Sequence, residues 1–419
     1  MTKKPELLLP AGTLDRLKTA FLYGADVVYC GLPSVSLRAK SGFTFGDLKE
    51  GIDYAHSIGK KIYLTLNLFT HNQDMVRLEE AVKMLQFLKP DGVIVADPGV
   101  FDYVGQICPD MPRHISTQAN VCSYMTVNYW KKQGARLCVL GREVPLKEMR
   151  KIRQKCPDIG LEVFIHGAMC ISYSGRCLLS NFLTGRSANK GNCAHTCRWK
   201  YKFYIEEENR PGQLMQMDED DHGAYVMNSR DLCLMPRLNE LLDVGLDSFK
   251  IEGRNKSEYY VSVAARAYRK AIDDWEKDPK NWKPDAYMRE LSTLQNRGYT
   301  LGFFDGNAGP ESLNYDISAS GGQWRYAGRV MDKTADSIIL EIKHKIVKGD
   351  ELEFLSPAQF EPIRIQMDEF YDAENGKPLD VISTGHLGQA IRIPVSADVL
   401  KLLPVLSVAR KFIGDGQKG

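Results

Sequence analysis

The 419-residue chain is 43% apolar and 26% charged, with 35 glycines and 19 prolines, which excludes a disordered, collagen-like or disulfide-scaffold protein. Its 55 Lys and Arg against 53 Asp and Glu leave a formal charge of +2, so no global cationic field of the nucleic-acid-coating kind exists and any such contact needs a local basic cleft. Behind Lys3 and Lys4 only Leu7 to Pro10 is apolar, too short for a signal-peptide core, and no run approaches the ~18 apolar residues of a membrane span. The expected setting is cytoplasmic, with no membrane partner. There, ten cysteines do not read as five disulfides.

In chain order, short apolar or β-branched runs bounded by turn residues predict eight strands at 6–9, 26–29, 61–66, 92–96, 114–117, 137–140, 162–165 and 248–251. Amphipathic stretches at 14–23, 45–58, 77–88, 127–133, 146–155 and 234–242, and a last one from 259 to 294, predict helices between and after them. Alternation of strand and helix implies a parallel sheet. Eight such units fit an α/β fold of the (β/α)8 TIM type. The barrel is expected over 1–300, with a cysteine-rich insertion at 168–233 after strand seven and Cys233 at the start of the following helix. Turn-rich residues 301–322 read as a linker, and β-like runs at 324–330, 337–342, 351–354, 364–370 and 389–393 predict a small all-β barrel over 323–419.

Chemistry in such a barrel gathers at the carboxyl ends of its strands. There the sequence places Asn67, Asp97, Gln118, Asn120, Arg142, Glu143, His166, Glu252 and Arg254. Each alone reads equally as a helix cap or turn residue. Together they predict a polar pocket in which Arg142 and Arg254, with Asn67, Gln118 and Asn120, bind a small carboxylate or phosphate. Glu252 or His166 would transfer a proton; a structural Arg254–Glu252 ion pair is the alternative.

Cys170, Cys177, Cys193, Cys197 and Cys233 crowd the mouth of this barrel. Thiolates suit zinc or iron–sulfur clusters, and only Cys193 and Cys197 have the spacing of a zinc knuckle. A catalytic thiol, Cys170 with His166 or His195, is a further reading. Around the loop Arg176, Arg186, Lys190, Arg198, Lys200 and Lys202 alternate with Trp199, Tyr201 and Tyr204. Such a pattern either binds phosphates while stacking unpaired bases or is a solvated loop face.

The segments His166-Gly-Ala-Met-Cys170, Ser174-Gly-Arg-Cys177-Leu-Leu-Ser180, Asn189-Lys-Gly-Asn-Cys193 and Cys197-Arg198 resemble the signature of the peptidase U32 family. Glu6-Leu-Leu-Leu-Pro-Ala-Gly12, Gly24-Ala-Asp-Val-Val-Tyr29 and Lys250-Ile-Glu-Gly-Arg254 are similar to further blocks of that family. The resemblance spans essentially the whole barrel. It implies a 4Fe-4S cluster on four cysteines, matching Cys170, Cys177, Cys193 and Cys233 with Cys197 as the alternate. It also implies oxygen-independent hydroxylation of RNA or ubiquinone precursors. The C-terminal extension points to the subgroup that converts the tRNA wobble uridine to 5-hydroxyuridine, with prephenate as oxygen donor. A collagenase-like peptidase is the alternative the family name carries, although the chain has neither a G-x-S-x-G elbow nor an H-E-x-x-H helix. A non-catalytic cluster-binding partner in RNA modification is the third reading.

Overall fold

Eight strands with buried apolar sequences pair in parallel and close on themselves: β1 (Glu6–Ala11), β2 (Val27–Gly31), β3 (Lys61–Leu66), β4 (Gly92–Val95), β5 (Arg113–Ile115), β6 (Leu137–Val139), β7 (Gly160–Ala168) and β8 (Ser248–Ile251). β8 pairs with both β1 and β7, which completes the barrel. The computed structural model describes residues 4–33, 35–36, 42–170, 172, 176–199, 203–205, 211–212, 215–217, 229–306, 308, 312, 322–384 and 389–414. Outside the strands run α1 (Leu14–Leu22), α2 (Phe45–Ser57), α3 (Met75–Leu88), α4 (Pro98–Ile107), α5 (Tyr124–Lys132) and α6 (Leu146–Lys155). A short α7 (Leu179–Thr184) lies in the insertion, and α8 (Leu238–Val244), α9 (Glu258–Lys277) and α10 (Asp285–Ser292) follow. Among the described residues no helix is long and apolar enough to cross a membrane.

Strand alternation sorts the side chains into two cores. Leu7, Leu9, Val28, Ile62, Leu64, Val93 and Val95 face the helices and join the large outer core, while Leu8, Val27, Tyr29, Tyr63 and Ile94 form a separate cluster inside the barrel. Beside that cluster lies a buried ion pair, Lys250 Nζ to Glu162 Oε1 at 2.8 Å, with the Ser248 hydroxyl donating to Glu162 Oε2 at 2.9 Å. The second oxygen is thus satisfied, the condition under which a buried pair is tolerated. His114 stands edge-on to Tyr63 in the same interior. Burial, with Lys250 nearby, pushes its pKa down to about 3, so it is neutral at neutral pH.

Three local expectations change. The helical stretch expected from 259 to 294 is two helices, because Asp278 turns back to accept from Asn281 and the chain reverses before α10. Cys233 does not start a helix: it ends a short strand, Asp231–Cys233, antiparallel to β7. Phe304 is buried on the barrel and its carbonyl accepts from Leu146 N at 2.9 Å, so the segment after 300 packs with the barrel before the turn-rich tract begins. Most of that tract, at 307, 309–311 and 313–321, lies outside the described residues.

The C-terminal region is an antiparallel half-barrel. Its main strands are β9 (Trp324–Lys333), β10 (Ser337–Ile342), β11 (Glu351–Leu355), β12 (Ile363–Gln366), β13 (Ala390–Pro394) and β14 (Val408–Phe412), ordered β12-β11-β14-β9-β10-β13 with Tyr371–Asp372 at the far edge. Val330, Leu340, Phe354, Phe370 and Ile391 fill its own core, whereas Leu355 and Val408 belong to the barrel's. Tyr23 of the residue following α1 donates its hydroxyl to Leu355 O at 2.6 Å and accepts from Val408 N at 3.1 Å. Arg410 bridges Glu290 at 3.1 Å and Glu353 at 2.8 Å across the same seam.

Candidate active site

The strand ends enclose a cavity of about 200 Å³ lined by residues from both the barrel and the cysteine-rich insertion. Arg254, buried, donates Nη1 to Thr65 Oγ1 at 2.8 Å. The Arg142 guanidinium lies 4.0 Å from the Phe164 ring centre, with Nη2 3.8 Å from Glu252 Oε2. Tyr29 donates to Ile251 O at 3.0 Å, and its hydroxyl is 3.4 Å from the same Glu252 oxygen. Two glycines admit the turn that carries these groups. A Cβ at Gly12 would fall 2.4 Å from Arg254 O, and one at Gly167, whose φ is +115°, 2.6 Å from Glu252 O.

Among the described lining residues Arg142, Arg198, Lys250 and Arg254 face a single carboxylate, Glu252. With Lys250 paired to Glu162, the excess of guanidinium over carboxylate in this cavity favours small anions. Gln118 is buried, and its Oε1 has no hydrogen-bond partner in the structure, so it is an acceptor available to a bound hydroxyl. Lys250, Thr65 and Tyr29 were not singled out by sequence reasoning; the signal was a lysine in the middle of an otherwise apolar strand.

Cys170, Cys177, Cys193 and Cys197 all line this cavity, and Cys233 does not. Burial alone would raise the Cys177 thiol, but hydrogen bonds from Ser172 and from the Ser180 and Leu179 amides outweigh it and lower its pKa. His195, in the left-handed region at φ 56°, donates its backbone N–H to Cys193 Sγ at 3.3 Å. The Cys197 thiol is raised by burial, opposed by Arg198, and raised again by Cys170, Cys193 and Cys177. These are the marks of a ring of thiols facing one space, with amide donors suited to thiolate. Among the described residues no three His, Cys, Asp or Glu side chains close on the position of one metal ion.

Several expected site residues lie elsewhere. A bulge in β7 shifts the register, Phe164 pairing with Lys250 and His166 with Ile251. Such an extra residue reverses the side-chain alternation, so His166 turns away from the cavity into a cage of Tyr260, Tyr268 and Tyr299. Its pKa is pushed down to about 4 by burial, against the pull of Asp231. The ring expected to transfer a proton thus faces the tyrosine cage and does not line the cavity. Cys233 is buried on the same rear side, 3.7 Å from Tyr268 Oη and 3.8 Å from Met288 Sδ, and burial raises its thiol to about 11. The structure therefore brings Cys197, rather than Cys233, to the other three thiols.

Asn67 and Gln118 line the cavity, while Asn120 does not: it holds a left-handed turn at φ 61°. Asp97 caps α4 through Val100 N at 3.0 Å. Arg176 is fixed by two bonds to Gln118 O, at 3.0 and 2.7 Å, and Arg186 bonds Asn192 Oδ1 at 3.2 Å. Arg198 reaches inward beside Cys197 and Cys170. These three guanidiniums, expected on an RNA-facing surface, organise the loop. Lys200, Lys202 and Tyr201 lie outside the described residues.

The family model "Peptidase family U32" matches residues 12–314, and "Peptidase family U32 C-terminal domain" matches 322–403. The chain is 37% identical over 396 residues to tRNA hydroxylation protein P of Escherichia coli, covering 84% of this chain and 86% of that one. It is 38% identical over 384 residues to tRNA hydroxylation protein P1 of Bacillus subtilis, covering 91% and 90%. Over 268 residues it is 33% identical to the 23S rRNA 5-hydroxycytidine C2501 synthase of Escherichia coli, covering 64% and 39%.

Proposed function

Because the chain belongs to peptidase family U32, we propose that it is an iron–sulfur enzyme that hydroxylates the wobble uridine of tRNA without molecular oxygen. The names of the two tRNA hydroxylation relatives support the substrate, and that of the rRNA hydroxycytidine synthase supports the reaction class. The observation that carries the reading is that a ring of four thiols and a cationic pocket share one cavity.

The donor set fits a 4Fe-4S cluster on Cys170, Cys177, Cys193 and Cys197, since the four thiols face one space and amides already point at two of the sulfurs. When bound there, such a cluster supplies electron transfer. Replacing C5–H of uracil by C5–OH is a two-electron oxidation, so the oxygen donor takes up two electrons. Arg142 and Arg254 suit the carboxylates of a donor such as prephenate, and the Gln118 oxygen accepts from its hydroxyl. Glu252 Oε2 takes the proton leaving C5 in this reading, which the contacts of Tyr29 and Arg142 to that carboxylate support.

The test is anaerobic purification with iron, sulfide and zinc quantitation, followed by incubation with unmodified tRNA and prephenate and mass spectrometry of the nucleosides. About four iron and four sulfide per chain and a uridine gaining one oxygen are expected. An Arg254→Gln variant should keep its iron and need about 10- to 100-fold more prephenate, the scale of one lost charge-assisted hydrogen bond. Zinc as the sole metal, or cleavage of gelatin with no modified uridine, would return the peptidase reading.

A further inference from the structure

A second cavity, of about 250 Å³, opens where the barrel meets the half-barrel. One wall is Lys256 and Ser257 with the first turn of the 20-residue α9 that follows them; the other is formed by Trp324, Arg325 and Tyr326 of β9 with Lys343 and His344. Among its described lining residues Lys256, Arg325, Lys343 and His344 are basic and none is a carboxylate. The neighbouring acids are already engaged, Glu341 by Arg329 at 2.6 Å and Lys343 at 2.5 Å, and Glu258 by Arg16 at 3.2 Å. Arg325 donates only Nη1, to the Gly322 and Trp324 carbonyls, leaving the rest of its fork toward the groove. Tyr326 lines the groove too, and its hydroxyl is buried with no hydrogen-bond partner in the structure.

The groove and the main cavity are lined by neighbouring residues of one turn. Arg254 and Asn255 line the main cavity, and Lys256, the next residue, begins the groove. Each domain contributes one wall, so its width is set by the docking of Tyr23 and Arg410 across the seam. We propose that this seam groove holds the sugar–phosphate backbone of the RNA strand whose base enters the main cavity. The inference rests on the reading of the main cavity as a tRNA-modifying site. Cations on both walls and a planar guanidinium match phosphates. The arrangement also gives the half-barrel a role that its sequence, with both signs of charge, does not reveal.

The test uses the full-length protein and a fluorescent tRNA anticodon stem-loop, with binding measured by anisotropy across a salt series. The Lys256→Ala, Arg325→Ala double variant should bind at least tenfold more weakly, with a log affinity versus log salt slope shallower by roughly 1.4, at about 0.7 per phosphate contact on a single strand. Its iron content and prephenate requirement should match wild type, and Arg325→Lys should recover part of the affinity. Equal affinity and slope in the double variant would overturn the groove while leaving the tRNA reading in place. A wild type that binds no tRNA would remove both. A polyglutamate peptide that competes as well as RNA, through the same residues, would assign the groove to acidic protein instead.

Discussion

On the cavity side of β7 and the loop leaving it, Cys170, Cys177, Cys193 and Cys197 stand among arginines, a lysine and backbone amides. On the helix side, Cys233 and His166 are paired across adjacent strands and packed among Tyr260, Tyr268, Tyr299 and Met288. The residue types are alike and the chemistry is opposite. A thiol becomes a ligand or nucleophile only as thiolate, which cations and amide donors favour and an apolar shell opposes. Changes at the front should therefore alter metal and turnover, and changes at the rear should alter stability.

The sharpest break between the two sides is iron content. Cys177→Ala or Cys197→Ala is expected to lose the cluster and to reduce hydroxylation by more than the ~10- to 100-fold that follows loss of an outer-sphere partner, whereas Cys233→Ala keeps its iron. Equal loss from all three, measured on anaerobically purified protein, would erase the distinction. Next is Asp231→Ala, which removes the carboxylate paired with the buried Arg297 guanidinium. It should cost about 3–5 kcal/mol in urea unfolding, with iron per folded chain unchanged.

His166 gives a pH signature. Its folded pKa is about 4 against an unfolded value of about 6.5, so the unfolded chain binds the proton first and stability falls as pH drops through that window, by up to about 3 kcal/mol. Unfolding curves of a His166→Gln variant should lack that part of the acid limb, while its neutral-pH turnover stays near wild type. An unchanged acid limb would mean that His166 titrates normally. The smallest effect is the stability of Cys233→Ala, lower by about 1 kcal/mol, the scale of deleting one buried heavy atom.

The barrel is legible in the sequence because each strand is a short apolar run between turn residues. β3 and β8 begin and end where that pattern does. Helix α4 is not marked, since Pro98-Gly-Val-Phe opens it without alternating charge. The strand Asp231–Cys233 is three residues long and owes its existence to pairing with β7, a partner distant in the chain. The strand-end position of Arg142, Arg254, Gln118 and Glu252 follows from the fold class alone. Which way His166 points does not, because the bulge that turns it arises from register against β8. Nor does spacing separate Cys197 from Cys233, as the difference lies in which face of the chain each occupies. Arg176 reads from sequence as a surface cation because the carbonyl that takes both its bonds is backbone, invisible in side-chain chemistry, whereas Arg186 stays exposed and pairs with the Asn192 side chain.

Gly12 and Gly167 press the turn bearing Glu252 and Arg254 between two stretches of main chain with no room for a methyl group on either side. Gly167 lies three residues before Cys170, so the start of the thiol loop and the arginine turn share one close main-chain contact. A side chain at 167 would disturb iron retention and donor affinity in step, and neither trait is tunable alone from that position. If the proposed oxygen-donor site is correct, a change of donor is better sought at Arg142, whose guanidinium rests on the Phe164 ring and not on crowded main chain.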